Sequence, residues 1–272
     1  MPHVTVNGAT LFYEEQGEGP ETICFAHGLL WSGDMFANQV EALKDQYRCI
    51  TFDFRGQGRS EVTTIGYDMD TLTDDAAALI EKLVEGPVHF VGLSMGGFVA
   101  IRLAARYPHL VSSLTILESS AEEEPPESAA QYRRLNTVAR WLGLGLVSNK
   151  VMDIMFGEAF MKDPGRSKQR EEWRDRLVNN HRLGITRAVK GVIAREAVLD
   201  LLPQITVPTL IMVGNGDVAT VPAKSELMHQ HLTNSDLVII PRAGHTSTVE
   251  EPEFVNKQMA AFLARLSATV DS

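Results

Sequence analysis

At 272 residues, 44% hydrophobic and 22% charged, the chain is long enough for a sizeable core, and its composition excludes a disordered or fibrous protein. A formal net charge of −10 argues against a nucleic acid or an anionic membrane as partner. The opening Met1-Pro2-His3-Val4 has no basic stretch followed by an apolar one, and no apolar run reaches the roughly 18 residues of a membrane span, so a cytoplasmic protein is expected.

In chain order, residues 3–6 and 10–16 flank Asn7-Gly8, a hairpin signal, so the sheet is expected to begin with an antiparallel pair. Thr22 to Ala26 is a continuous apolar run, as in a strand buried on both faces. A helix is expected near residues 34–46, with Phe36, Val40 and Leu43 on one face, and a strand over Arg48 to Phe52. Cys24 and Cys49 fall in these strands and read as small hydrophobes in a reducing compartment. Asp70 to Glu85 reads as a helix, capped by Asp70 or Thr73 and stopped by Gly86-Pro87. Val88 to Val91 is a strand, Met95 to Tyr107 a helix, and Leu114 to Leu117 another strand.

The acidic, proline-rich run Glu122 to Glu127 then reads as a solvated connector. From about 128 to 200 the pattern is helical with no strand signal, an insertion between two strands. Strands resume at Thr209 to Val213 and Leu237 to Ile240, with a helix opened by Pro222 between them and a final helix near residues 253–267. Short apolar strands alternating with amphipathic helices predict an α/β fold with helices on both faces of a mostly parallel sheet.

Gly92-Leu93-Ser94-Met95-Gly96 fits G-x-S-x-G, and it lies directly after a predicted strand and before a predicted helix. In that setting the serine must take a strained backbone conformation to project its hydroxyl above the sheet. A serine hydroxyl is a poor nucleophile without a base. Asp217 ends the turn Gly214-Asn215-Gly216 after one strand, and His245 ends a loop after the next. Both stand where open α/β sheets place their sites, and the order Ser, Asp, His is that of one hydrolase class. Ser94, Asp217 and His245 are therefore the expected catalytic residues. Glu118, after an earlier strand, competes with Asp217 for the acid's place. His27-Gly28-Leu29-Leu30 follows the strand ending at Ala26. The backbone N–H groups of Leu29 and Met95 are the expected oxyanion hole, with His27 as a loop organiser. The other histidines form no metal-binding spacing, so no metal is expected.

Taken together, the His27-Gly28 segment, the Asp53-Phe54-Arg55-Gly56-Gln57-Gly58-Arg59-Ser60 loop, the elbow at Ser94, Asp217 and His245 resemble the α/β-hydrolase superfamily over nearly the whole chain. The likeness is to small bacterial carboxylesterases and 3-oxoadipate enol-lactonases. It implies an eight-stranded mostly parallel sheet, a core over residues 1–119 and 203–272, and a helical cap over 120–202 after the sixth strand. The 53–60 loop then reads as a structural turn. Leu30 and Trp31 beside the oxyanion segment, and Trp141, Met152, Met155, Phe156, Phe160 and Met161 in the cap, are candidates to line an acyl pocket; the cap residues equally suit the cap's own core. Dehalogenases and epoxide hydrolases of this fold carry an aspartate at the elbow, which Ser94 argues against.

The expected activity is hydrolysis of small carboxylic esters through an acyl-enzyme, with no cofactor and a small-molecule ester or lactone as partner. Enol-lactone hydrolysis is the alternative, and a ligand receptor with vestigial turnover a third reading. An enol-lactonase needs a cation for its substrate's free carboxylate, for which Arg133, Arg134, Arg140, Arg187 and Arg195 are candidates. Short acyl chains are the expected preference, because the cap is short.

Overall fold

The computed structural model describes residues 2–270. The chain begins with β1 (His3–Val6) and β2 (Ala9–Gln16), an antiparallel hairpin. Asn7 and Gly8 at its tip have φ of 44° and 75°, the left-handed pair that a type I′ turn requires. β3 (Thr22–Ala26) follows, then a 3₁₀ turn and α1 (Ala37–Leu43), so the helix expected over 34–46 is split in two. β4 (Arg48–Phe52), α2 (Met69–Leu83), β5 (Val88–Leu93), α3 (Met95–Arg106) and β6 (Val111–Leu117) come next. The cap of α2 is Asp68, whose carboxylate accepts the Thr71 N–H at 2.8 Å. It is neither Asp70 nor Thr73, since Thr73 lies a turn inside the helix and donates its hydroxyl to the Met69 carbonyl.

Between β6 and β7 (Thr209–Gly214) lie five helices: α4 (Pro126–Leu142), α5 (Ser148–Met155), α6 (Glu158–Lys162), α7 (Ser167–Val178) and α8 (Arg182–Ile193). Then α9 (Pro222–His231), β8 (Ser235–Ile240), α10 (Ser247–Glu250) and α11 (Pro252–Val270) complete the chain. The Glu122 to Glu127 connector is not wholly solvated. The Glu124 carboxylate is buried against Arg195, with Oε2 to Nη1 at 2.5 Å. The arginine lies just past α8 and draws that acid inward.

The eight strands order β1-β2-β4-β3-β5-β6-β7-β8. β2 runs antiparallel to both neighbours and all later pairings are parallel. Alternation along each strand feeds two cores. Cys24 and Ala26 pack with α2, α3 and α9, whereas Ile23 and Phe25 pack with α1 and α11. Register then places the site. Ala26 pairs with Gly92, so the chain leaving β3 runs beside the chain leaving β5. Leu117 pairs with both Leu93 and Met212, and Gly214 with Ile240. Ser94, Glu118, Asp217 and His245 therefore all emerge at the C-terminal edge of one sheet.

Candidate active site

Ser94 has φ of 54° and ψ of −111°, a conformation costly for a residue with a Cβ. Its N–H donates to the Leu117 carbonyl at 2.8 Å and its carbonyl accepts from the Ser119 hydroxyl at 3.0 Å, so the strain is held by the end of the neighbouring β6 and the chain just past it. The flanking glycines are steric necessities. A Cβ on Gly92 would sit 2.2 Å from the Gly96 carbonyl oxygen, and one on Gly96 would sit 2.0 Å from the Ala26 carbonyl oxygen.

Ser94 Oγ lies 2.8 Å from His245 Nε2, and His245 Nδ1 lies 2.8 Å from Asp217 Oδ2. The Asp217 carboxylate is the acceptor, so Nδ1 carries the proton and Nε2 is free to accept from the serine hydroxyl. Asp217 is buried, which alone would raise its carboxyl. The adjacent His245 imidazole, the Thr220 hydroxyl at 2.7 Å and the Thr220 N–H at 3.0 Å hold it below the usual carboxylate range.

Glu118 is brought to the same edge but not to the histidine. Its φ of 42° turns it inward, where Oε1 accepts the Gly214 N–H at 3.1 Å. Burial, and then the charge of Asp217, push its carboxyl well above the usual range. It is a buried acid beneath the Asp217 turn, and Asp217 is the carboxylate that His245 meets. Glu250 lies nearby and accepts backbone N–H groups on both sides of His245.

The segment after β3 borders the elbow: a Cβ on Gly28 would be 3.5 Å from Ser94 Cβ. His27 holds that segment. Its Nε2 accepts the Phe54 N–H at 3.0 Å and its Nδ1 donates to the Gly28 carbonyl at 2.7 Å. Burial pushes this imidazole down, against the pull of the Asp53 charge. The 53–60 turn adds further props: Asp53 accepts the Gly33 N–H, and Gln57 accepts the Leu30 N–H. Leu30 itself has φ of 77°. Leu29 lines the same pocket as Ser94, and Met95 follows the serine directly and opens α3.

That pocket is apolar. Leu135, Ala139, Leu144, Val151, Ile185 and Val192 from the helical segment line it, with Phe98 from α3. Ser94, His245 and Thr220 form its reactive end. Leu30 and Met155 line it, whereas Trp31, Trp141 and Phe156 do not. Trp141 is 74% exposed. Tyr132, Leu135, Asn136 and Ala139 set the inward stripe of α4, and position 141 falls on the opposite face at 3.6 residues per turn. Trp31 and Phe156 are buried with Phe160 and Trp173 in an aromatic cluster, which, with Met152, is core rather than pocket lining. Thr220, Tyr132 and Glu250 carried no sequence signal beyond the three-residue spacing of Thr220 from Asp217.

The alpha/beta hydrolase fold family model matches residues 21–252. The chain is 29% identical to 3-oxoadipate enol-lactonase 1 of Acinetobacter baylyi, over 90% of each protein. It is 30% identical to the AB hydrolase superfamily protein YisY of Bacillus subtilis, over 95% of this chain and 97% of that one. Among solved structures, a thermophilic esterase from Thermogutta terrifontis superposes with a TM-score of 0.90 at 28% identity, covering 98% of this chain and 99% of the other. The enol-lactonase from Burkholderia xenovorans superposes with a TM-score of 0.90 at 27% identity, covering 97% and 100%. The strained serine at a strand-to-helix turn, the sheet order and the family match agree, and the chain belongs to the alpha/beta hydrolase fold family.

Proposed function

We propose that the protein hydrolyses small carboxylic esters through an acyl-enzyme on Ser94. The observation that carries this reading is the continuous hydrogen-bonded chain Ser94–His245–Asp217 opening into an apolar pocket. Ser94 Oγ attacks the ester carbonyl carbon while His245 Nε2 takes the hydroxyl proton. Asp217 keeps the imidazole in the required tautomer and offsets its positive charge. The Leu29 and Met95 N–H groups are assigned as the oxyanion hole, each contributing on the order of 10²- to 10³-fold. The protonated His245 then gives its proton to the leaving alcohol. Water, deprotonated by the same histidine, releases the acid. Residues 120–202 act as a cap that shields the acyl-enzyme and supplies the pocket wall.

A lactone is a cyclic ester and passes through the same steps. The enol-lactonases among the relatives support that alternative substrate, with no change in the residues.

A fluorophosphonate probe tests the nucleophile. Wild type should be labelled at Ser94 and should hydrolyse 4-nitrophenyl butyrate, and Ser94→Ala should do neither. Undiminished labelling or turnover in Ser94→Ala overturns the assignment.

A further inference from the structure

We propose that the pocket selects esters whose acyl or alcohol body is uncharged, and that Glu124 enforces this by occupying Arg195, an arginine that adjoins the pocket wall. This rests on the ester-hydrolase reading above and narrows its substrate class.

The cap arginines that could serve a substrate carboxylate are all engaged or displaced. Arg133 and Arg134 are exposed on α4, and Arg140 lies toward the outward Trp141, 5.7 Å from its ring. Arg187 donates to the Thr63 carbonyl at 2.5 Å. Among the described residues, no lysine or arginine lines the pocket that holds Ser94. Two arginines touch the wall residue Phe98: Arg102 donates to its carbonyl at 3.0 Å and pairs with Asp70, and Arg195 faces its ring. The Arg195 guanidinium lies 4.2 Å from the centroid of that ring. It donates to Glu124 Oε2 at 2.5 Å, to the Val192 carbonyl at 3.0 Å and to the Glu122 carbonyl at 3.1 Å. Glu124, not Arg195, faces the pocket.

An anionic substrate would therefore meet a carboxylate and an aliphatic wall. Its own charge would be desolvated with no cation to pair it, which is strongly unfavourable. The remaining polar groups fit a neutral ligand. Burial, with the charges of Glu124 and Asp217, pushes the Tyr132 hydroxyl up to about 12, so it meets a ligand as a neutral hydrogen-bonding group. Replacing Glu124 by glutamine would leave the Arg195 charge unmatched beside the same wall and so create a place for an anion.

The test compares two acyl groups of equal length, one neutral and one ending in a carboxylate. Calorimetry on Ser94→Ala measures binding of ethyl hexanoate and of monoethyl adipate, and steady-state kinetics on wild type measure their 4-nitrophenyl counterparts. The neutral ligand should bind tighter and turn over faster in kcat/KM by at least about a hundredfold. Glu124→Gln, made in both backgrounds, should narrow both ratios by about tenfold or more, by gain on the anionic partner. Wild-type ratios near one overturn the proposal even if Glu124→Gln does not fold, and a folded Glu124→Gln with unchanged ratios overturns the part given to Glu124. Absent turnover of both esters would refute the ester-hydrolase reading alone, because the binding ratio still decides selectivity.

Discussion

Glu250 Oε2 accepts the N–H of Gly157 at 2.8 Å, so the acid that follows the histidine loop also holds the junction of α5 and α6. The same oxygen accepts the Gly244 N–H at 3.0 Å, and Oε1 accepts the Thr246 N–H at 3.0 Å. One buried carboxylate thus grips the backbone on either side of His245 and ties that loop to the helical segment. The Thr246 hydroxyl adds a second tie, donating to the Met155 carbonyl at 2.7 Å.

This arrangement has a signature in stability. Burial pushes Glu250 up to about 7 against its three N–H donors, and the charge of Asp217 adds to the rise. A carboxyl raised above its unfolded value favours the folded state most while protonated in both states. Its contribution is lost as pH rises from about 4.5 through about 7. Wild type should therefore lose its advantage in Tm over Glu250→Gln between about pH 5 and pH 8, by a free energy on the order of a few kcal/mol. Thermal unfolding of both proteins across that range checks it, and a Tm difference independent of pH contradicts it.

Asp217 and Glu118 should separate under amide replacement. Asp217→Asn removes the acceptor that fixes the His245 tautomer, and kcat should fall about 10⁴-fold with the fold intact. Glu118 does not meet His245, and in Glu118→Gln the amide oxygen can still accept from Gly214, so activity should stay within about threefold. Kinetics with circular dichroism on both variants decide this, and the reverse order would move the acid to Glu118.

The buried ion pair of Arg55 and Asp75 should be a stability determinant away from the chemistry. The two side chains are almost fully enclosed, with Arg55 Nε and Nη2 each 2.7 Å from a carboxylate oxygen of Asp75. Arg55→Ala strands a buried carboxylate, and the loss should be about 3–5 kcal/mol by urea unfolding. A loss below about 1 kcal/mol would place the pair among ordinary surface contacts.

Ala139 should tune chain length. It is buried on the inward stripe of α4 and lines the pocket. Ala139→Phe fills space that a longer acyl chain would occupy, so kcat/KM for hexanoate relative to acetate should fall about tenfold or more. A profile over acyl lengths reads this directly, and an unchanged profile would place the acyl chain elsewhere.

What the sequence determined by itself was local and ordered along the chain. The strand–turn–helix setting of Ser94 needed only apolar runs and the two glycines, because a Cβ at either would strike backbone. Asp217 and His245 were legible because each closes the short connection that follows a strand, and parallel strands carry their C-terminal ends to one edge. The tertiary structure decided what depends on facing. A helical period says that α4 has two faces but not which one meets the pocket, so Trp141 reads as a lining residue until packing turns it outward at 74% exposure. Trp31 and Phe156 lie far apart in sequence, and only folding brings them into one aromatic cluster. The acidic connector reads as solvated because local composition cannot reveal that Glu124 meets Arg195, 71 residues away. Glu250 is silent in the sequence for the same reason. Its partners are backbone N–H groups, which every residue but proline owns, so only the fold selects which ones it holds.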